Sequence, residues 1–143
     1  MEKKLRKDDL LQVTDKPIAP EEVIARISWD ECGALVTFTG RVRGYSGDKR
    51  VLSLEHEAST EVAERLLSEI ATEMREKWDL GEVAFCYRTG PVAAGETTLV
   101  IAVAAPHRPE AFAACQYAID RFKQKVSAKE IREDGEFWIG GKS

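Results

Sequence analysis

The apolar run from Thr97 to Ala105 ends at Pro106-His107-Arg108-Pro109, and this junction constrains the fold more than any other part of the sequence. The run, TTLVIAVAA, has the length and the β-branched content of a buried strand. Pro109 suits the first turn of a helix, where a backbone N–H group has no intrahelical acceptor. The sequence therefore predicts a buried strand that leads directly into a helix.

Two long amphipathic helices are predicted. The helix that begins at Pro109 carries an apolar stripe at helical spacing, formed by Phe112, Cys115, Ile119, Phe122 and Val126. An earlier helix over residues 59–78 begins with the capping hydroxyl groups of Ser59 and Thr60. Its apolar stripe is Ala63, Leu66, Leu67, Ile70 and Met74.

Strands are predicted in pairs between these helices. We expect a short helix over residues 20–29, a mobile glycine-rich loop over 40–50, and a turn between residues 88 and 97. Strand pairs between helices predict an α+β fold with a largely antiparallel sheet. The strands are expected at residues 10–14, 33–39, 51–58 and 83–88, and the tail over 129–139 as a hairpin closed by Asp134-Gly135.

Length, charge and cysteine content limit the classes of function. The 143 residues suit a single domain over 1–143, with residues 1–8 frayed. The net charge of −4 argues against a nucleic-acid partner. No membrane-length apolar run or signal peptide is visible, so we expect no membrane association and a cytoplasmic location. Cys32, Cys86 and Cys115 lie in apolar patterns and are interpreted as buried thiols, with a catalytic cysteine as the alternative.

His107 and Arg108 form the first candidate site. They lie at the predicted start of a helix, where backbone N–H groups and the helix dipole attract anions. Histidine adds a titratable donor, and arginine binds phosphate or carboxylate with two hydrogen bonds. The alternative is that Arg108 pairs with Glu110 and that His107 only caps a carbonyl group. The sequence alone leaves both interpretations open.

Two further groups of basic residues are candidates. Arg41 and Arg43 directly follow a predicted buried strand, so one of them could point into a cleft, although charged loops are usually only solvated. Late in the second long helix and just beyond it come Arg121, Lys123, Lys125 and Lys129. Basic residues there also complement the dipole at the helix C-terminus, which is the structural alternative.

The remaining motifs give weaker evidence of function. In Glu55-His56-Glu57 the two carboxylates share a face of a predicted strand, opposite His56, which is a poor arrangement for a metal triad. We interpret this tripeptide as structural. No metal site is expected, and the glycine-rich nucleotide motifs and the serine-hydrolase motif do not occur.

In this order, these features resemble those of the catalytic (large) subunits of molybdopterin synthase, the MoaE family. The resemblance runs from about Leu10 to Trp138, and the combination of motifs is more specific than any one part. It is carried by GALVTFTGRVR at residues 33–43, Leu54-Glu55-His56-Glu57, Trp78, Arg88-Thr89-Gly90, Gly95-Glu96, His107-Arg108, Ala111-Phe112 and Phe122-Lys123.

The resemblance implies a fold of the α/β-hammerhead type and a sulfurtransferase activity. The family converts cyclic pyranopterin monophosphate into molybdopterin by inserting two sulfurs. The sulfur arrives as a thiocarboxylate at the C-terminus of a small ubiquitin-like subunit. The resemblance also implies a homodimer with one small subunit at each end, hence a heterotetramer, and no cofactor.

The resemblance also implies roles for individual residues. Arg43, His107 and Arg108 match residues of the substrate pocket, and Lys123 matches the first catalytic lysine. The second lysine normally follows a Pro-aliphatic-Trp stretch, which here reads Val-Ser-Ala before Lys129. Lys129 is therefore assigned as the second catalytic lysine, with Lys125 as the substrate-binding fallback.

Two other functions stay open at this point. The altered stretch before Lys129 would suit a non-catalytic dimeric adaptor that docks a ubiquitin-like protein. The basic residues would also suit an enzyme that acts on a phosphorylated metabolite without a protein sulfur donor.

Overall fold

The computed structural model describes residues 9–140, so the prediction that residues 1–8 are frayed lies outside the described part. Two curled sheets and three helices make a mixed α+β fold. In chain order the elements are β1 Leu10–Thr14, α1 Pro20–Ala25, β2 Ala34–Arg41, β3 Tyr45–Ser46, β4 Lys49–His56, α2 Thr60–Lys77, β5 Val83–Arg88, β6 Gly90–Ala93, β7 Thr97–Ala105, α3 Arg108–Lys125, β8 Ser127–Arg132 and β9 Gly135–Gly140.

The first sheet has the strand order β1-β5-β7-β2. Strand β1 is parallel to β5, and the other two pairings are antiparallel, which confirms the largely antiparallel prediction. Every residue of β5 is buried, and so are the last seven residues of β7. The predicted buried strand over Thr97–Ala105 is confirmed at both ends.

Helices α2 and α3 cover one face of this sheet and form the main core with it. Ser59 caps α2 by accepting a hydrogen bond from the N–H of Val62 at 3.2 Å, as the sequence predicts. The predicted stripe of α3 is wrong at Phe112, which is 61% exposed. Small side chains let α3 approach the sheet closely, and its buried face is Ala111, Ala114, Cys115, Ala118 and Phe122.

The second sheet has the order β3-β4-β8-β9, with β6 also paired to β4. The predicted tail hairpin is confirmed as β8 and β9, which are longer than expected. The predicted turn region between residues 88 and 97 is wrong at Gly90-Pro91, because Gly90–Ala93 pairs with β4 as a strand, and it is confirmed at Gly95. The short helix α1 ends at Ala25, four residues before its predicted end.

The predicted mobile loop over residues 40–50 is also wrong. Strand β2 continues through Arg41, and Tyr45–Ser46 pairs with the start of β4. Between them, the N–H of Val42 donates to the carbonyl of Glu96 at 2.9 Å, and the carbonyl of Gly44 accepts from Val51 at 2.8 Å. These backbone hydrogen bonds hold the segment in place.

The cysteines follow the prediction in part. Cys86 and Cys115 are buried, and burial raises the pKa of the Cys115 thiol to about 11, so this group stays an unreactive thiol. Cys32 is only half-buried, which corrects the prediction there.

Within residues 9–140, no helix has both the length and the apolar character that crossing a membrane requires.

Candidate active site

A cavity of about 400 Å³ opens where the C-terminal end of α3 meets β2 and the second sheet. Helix α3 contributes the apolar Phe122 and the basic Lys123 to its lining, and the chain at the end of β2 contributes Arg41 and Arg43. The lining residues are Phe38, Gly40, Arg41, Val42, Arg43, Leu54, His56, Thr98, Leu99, Phe122, Lys123, Val126, Ala128, Glu130, Ile139 and Gly140.

Arg43 is held in this wall by Glu130. The guanidinium donates from Nε to one carboxylate oxygen at 3.0 Å and from Nη2 to the other at 3.2 Å. Glu130 is 1% exposed, and it also accepts from Nε of Arg132 at 2.7 Å. Burial acts to raise the pKa of this carboxyl group, but the two arginines outweigh it and lower the pKa. Two arginines on one carboxylate leave the cluster with a net positive charge.

Lys123 lies in the last turn of α3, directly after the buried Phe122. The ring of Phe122 packs edge-on against Tyr87 at 4.8 Å, which fixes this end of the helix on the first sheet. Lys123 is exposed, and its ammonium group has no hydrogen bond or ion pair within residues 9–140. An unpaired cation on the wall of a cavity is available to a ligand.

Gly140 shapes the cavity beside Lys123. Its φ is +71°, and a Cβ atom there would lie 2.7 Å from the carbonyl oxygen of Val126. Only glycine permits both the backbone conformation and this close approach. The end of β9 can therefore close the cavity against the end of α3.

Arg41 also lines the cavity, although the family resemblance assigned the pocket role to Arg43 alone. The register of β2 shifts between Gly40 and Arg41, a β-bulge that re-aims the following side chain. Nε of Arg41 donates to the carbonyl of Gly95 at 3.0 Å. The bulge is a product of strand pairing and leaves no signal in the local sequence.

His56 faces the same cavity, which the structural interpretation of Glu55-His56-Glu57 did not foresee. Its ring lies edge-on to Tyr87, with the centroids 5.2 Å apart. Burial lowers the pKa of His56 to about 4, so the imidazole is neutral near pH 7.

Lys125 and Lys129 do not line the cavity. Alternation along β8 places Ala128 and Glu130 on the cavity side and Lys129 on the opposite face. There Lys129 pairs with Glu136 at 3.4 Å and lies over the ring of Trp138. Lys125 is exposed; the pKa of Glu73 on α2 is lowered mainly by its hydrogen bond from Arg121, and the charge of Lys125 adds a smaller contribution. The roles predicted for both lysines stay predictions.

His107 and Arg108 lie at the other end of α3. At 1.5 Å per residue, the helix separates Arg108 from Lys123 by about 22 Å along its axis. Both side chains are exposed, and neither makes a hydrogen bond or ion pair within residues 9–140. The predicted alternative, an ion pair between Arg108 and Glu110, is thus not formed. Within a single chain, His107 and Arg108 are too far from the cavity to contribute to it.

The cavity is chemically suited to an anionic ligand that also has an apolar part. Arg41, Arg43 and Lys123 supply positive charge, and Glu130 is already engaged by its arginines. In the described range 9–140, no group of three or more His, Cys, Asp or Glu side chains is arranged to hold a metal ion.

Comparison with known proteins places the chain in a family. The family model described as "MoaE protein" matches residues 13–125. The chain belongs to the MoaE family. The matched range contains Arg43, His107, Arg108 and Lys123, and it ends before Lys129 and Glu130.

Individual MoaE relatives agree with this assignment. The chain is 44% identical over 131 residues to a molybdopterin synthase catalytic subunit of Bacillus subtilis, covering 90% of this chain and 83% of that protein. A similar human protein of the same name is 35% identical over 136 residues, covering 94% and 72%. The crystal structure of molybdopterin synthase from Staphylococcus aureus superposes with a TM-score of 0.80 at 36% identity, covering 94% of this chain and 98% of that one.

Proposed function

We propose that this MoaE-family chain is the catalytic subunit of a molybdopterin synthase and acts as a sulfurtransferase. It converts cyclic pyranopterin monophosphate into molybdopterin with two sulfurs, each delivered as the C-terminal thiocarboxylate of a small ubiquitin-like subunit. The observation that carries the proposal is the cavity that both Arg43 and Lys123 line. The names of the relatives and the motif positions support the same reaction.

Lys123 is proposed as the catalytic cation. Attack of a thiocarboxylate sulfur on a side-chain carbon of the pterin forms a C–S bond, builds negative charge and expels an oxygen leaving group. Water then hydrolyses the acyl–sulfur bond, which leaves the sulfur on the pterin and a carboxylate on the small subunit. An ammonium group that has no other partner within the described chain can stabilise that charge or donate a proton to the leaving oxygen. The apolar side chains of Phe122 and Val126 beside it lower the local dielectric constant and so strengthen this interaction.

Arg43 is proposed to bind the substrate phosphate. Its two hydrogen bonds to the buried Glu130 fix the guanidinium before the ligand arrives, which lowers the entropic cost of binding. With Arg132 on the same carboxylate, the cluster keeps the excess positive charge that an anion needs.

His107 and Arg108 are proposed to complete the cavity of a second copy in a homodimer. About 22 Å of helix rules out a shared site within one chain. Both side chains are exposed at the N-terminal end of α3, where the helix dipole adds to their attraction for phosphate. The heterotetramer then has two equivalent active sites.

Lys129 is proposed to hold the C-terminal tail of the small subunit, with Lys125 as the alternative. Lys129 lies on the face of β8 away from the cavity, so this proposal gives it contact with the partner and not with the pterin.

We also propose a cytoplasmic location, which suits the buried thiols of Cys86 and Cys115.

Reconstitution tests the function. The chain is mixed with cyclic pyranopterin monophosphate and the thiocarboxylated small subunit, and molybdopterin is measured. We expect product only when both are present. A complex without product would favour the non-catalytic adaptor, and turnover without the small subunit would favour an enzyme of phosphorylated metabolites.

A further inference from the structure

His56 combines three features that a histidine of the core does not normally show together. It is on the cavity wall, its ring packs edge-on against Tyr87, and its Nδ1 is sealed from solvent without a hydrogen-bond partner in the described chain. Buried polar atoms are normally paired, because an unpaired one loses its hydrogen bonds to water. An exception on the wall of the proposed active site calls for a physical reason.

The two ring nitrogens have different surroundings. Nδ1 is shut in, whereas Nε2 is not among the sealed unpartnered atoms of residues 9–140. Placing the proton on Nε2 avoids a buried N–H group without an acceptor and leaves only a lone pair at Nδ1. The ring then presents an N–H donor to the cavity.

The ring is also neutral near pH 7. Burial lowers the pKa of His56 to about 4, and within residues 9–140 no carboxylate is hydrogen-bonded to the ring to keep it charged. A neutral donor is a poor partner for phosphate compared with Arg43 and Lys123, which line the same cavity. It suits an uncharged carbonyl or ring nitrogen of a heterocycle.

We propose that His56 is a ligand-contacting residue that donates from Nε2 to the uncharged hydrogen-bonding edge of the pterin ring, while the cavity cations bind the phosphate. This inference rests on the proposed function, since it assigns the pterin substrate to this cavity. It gives the apolar part of the cavity, including Phe38 and Leu54, the role of covering the ring faces.

Replacing His56 by phenylalanine separates this role from core packing. His56→Phe keeps an aromatic ring against Tyr87 and removes the unpartnered Nδ1, so we expect the melting temperature to stay equal or rise. We expect KM for cyclic pyranopterin monophosphate to rise about tenfold, with kcat within about threefold, since one neutral hydrogen bond to the substrate is lost. His56→Gln, whose amide reaches the position of Nε2, should restore most of the affinity.

Tyr87→Phe is the matched control. Tyr87 also carries a buried hydroxyl that lacks a hydrogen-bond partner within the described residues, and it packs on the same ring, but it does not line the cavity. We expect this variant to resemble wild type in melting temperature and in KM. A KM change as large as that of His56→Phe would show that packing, and not the donor, matters, and would overturn the inference.

Direct binding of cyclic pyranopterin monophosphate, measured beside turnover, keeps the two proposals distinguishable. If wild type binds the pterin but makes no molybdopterin, the proposed function fails while the binding data still test His56. Equal affinity of wild type and His56→Phe would overturn the inference even in an active enzyme. A rise in KM for the small subunit instead of the pterin would also overturn it.

Discussion

The two ends of α3 carry similar residues in different surroundings. At the N-terminal end, His107 and Arg108 are exposed, and neither side chain makes a hydrogen bond or an ion pair within residues 9–140. At the C-terminal end, Lys123 lines a cavity into which Arg43 is fixed by a buried glutamate. Helix dipoles favour anions at the first end, yet the cavity is at the second. Enclosure by neighbouring strands, and not the helix terminus itself, makes the pocket.

The largest combined effect on stability and activity is expected for Glu130, the residue that holds Arg43 at the C-terminal end of α3. Glu130→Ala leaves Arg43 and Arg132 without their buried anion, and we expect a loss of about 3 kcal/mol in the free energy of unfolding. Activity should fall about 100-fold, because Arg43 is no longer held. Urea denaturation and steady-state assays measure the two effects.

Glu130→Gln is the matched control, since it keeps the shape and one acceptor but not the charge. It should lie between wild type and Glu130→Ala in both measurements. Wild-type stability and activity in Glu130→Ala would contradict the view that this carboxylate organises the site.

A second effect concerns the pH dependence of stability at the cavity. The pKa of His56 is about 4 in the folded chain and near 6.5 when the ring is solvated. Between pH 6.5 and 4, His56 is therefore protonated in the unfolded chain but neutral in the folded chain. Its contribution to stability is therefore complete above pH 6.5 and is lost as the pH falls to about 4. The difference is about 3 kcal/mol at most.

Denaturation at a series of pH values, with His56→Phe as the reference, measures this contribution. The wild type should lose stability relative to the variant between pH 6.5 and 4. Parallel curves would mean that His56 is solvated in the folded chain and titrates normally.

A third, smaller effect sharpens the comparison between the two ends of α3. Arg108→Ala should leave stability nearly unchanged, because its exposed side chain makes no hydrogen bond or ion pair within residues 9–140. It should lower activity about 10- to 100-fold through lost phosphate contacts. Mixed dimers of Arg108→Ala and Lys123→Ala chains should regain about half of the wild-type activity, since one of the two sites is then intact. No recovery would place both residues in the same chain's site or outside it.

The smallest effect is expected at Lys129. Its ion pair with Glu136 is partly exposed, so Lys129→Ala should cost less than about 1 kcal/mol of stability. Because it faces away from the cavity, we expect KM for the small subunit to rise and KM for the pterin to stay unchanged. The reverse result would move Lys129 into the pterin site.

The sequence predicted those parts of the molecule that depend on local pattern. The strands Val83–Arg88 and Thr97–Ala105 have the predicted bounds, and Ser59 caps α2 as expected. Alternation also placed His56 on the face opposite Glu55 and Glu57. These features follow from periodicity and capping, which neighbouring residues determine.

The remaining features depend on residues that are far apart in the chain. Arg43 and Glu130 are 87 positions apart, and their pairing requires β4 to bring β8 beside the end of β2. Strand β6 begins with Gly90-Pro91, a turn-like sequence that becomes a strand only by pairing with β4. Phe112 was misplaced because alanines, with small hydrophobic side chains, form the buried face of α3.

Molybdopterin formation by Lys123→Ala in the reconstituted complex tests the central claim most directly. The control is Lys77→Ala, which removes a lysine from the last turn of the other long helix, outside the cavity. We expect Lys123→Ala to fold, dimerise and bind the small subunit but to form no detectable product, and Lys77→Ala to match wild type. Full activity of Lys123→Ala would contradict sulfur transfer at this cavity.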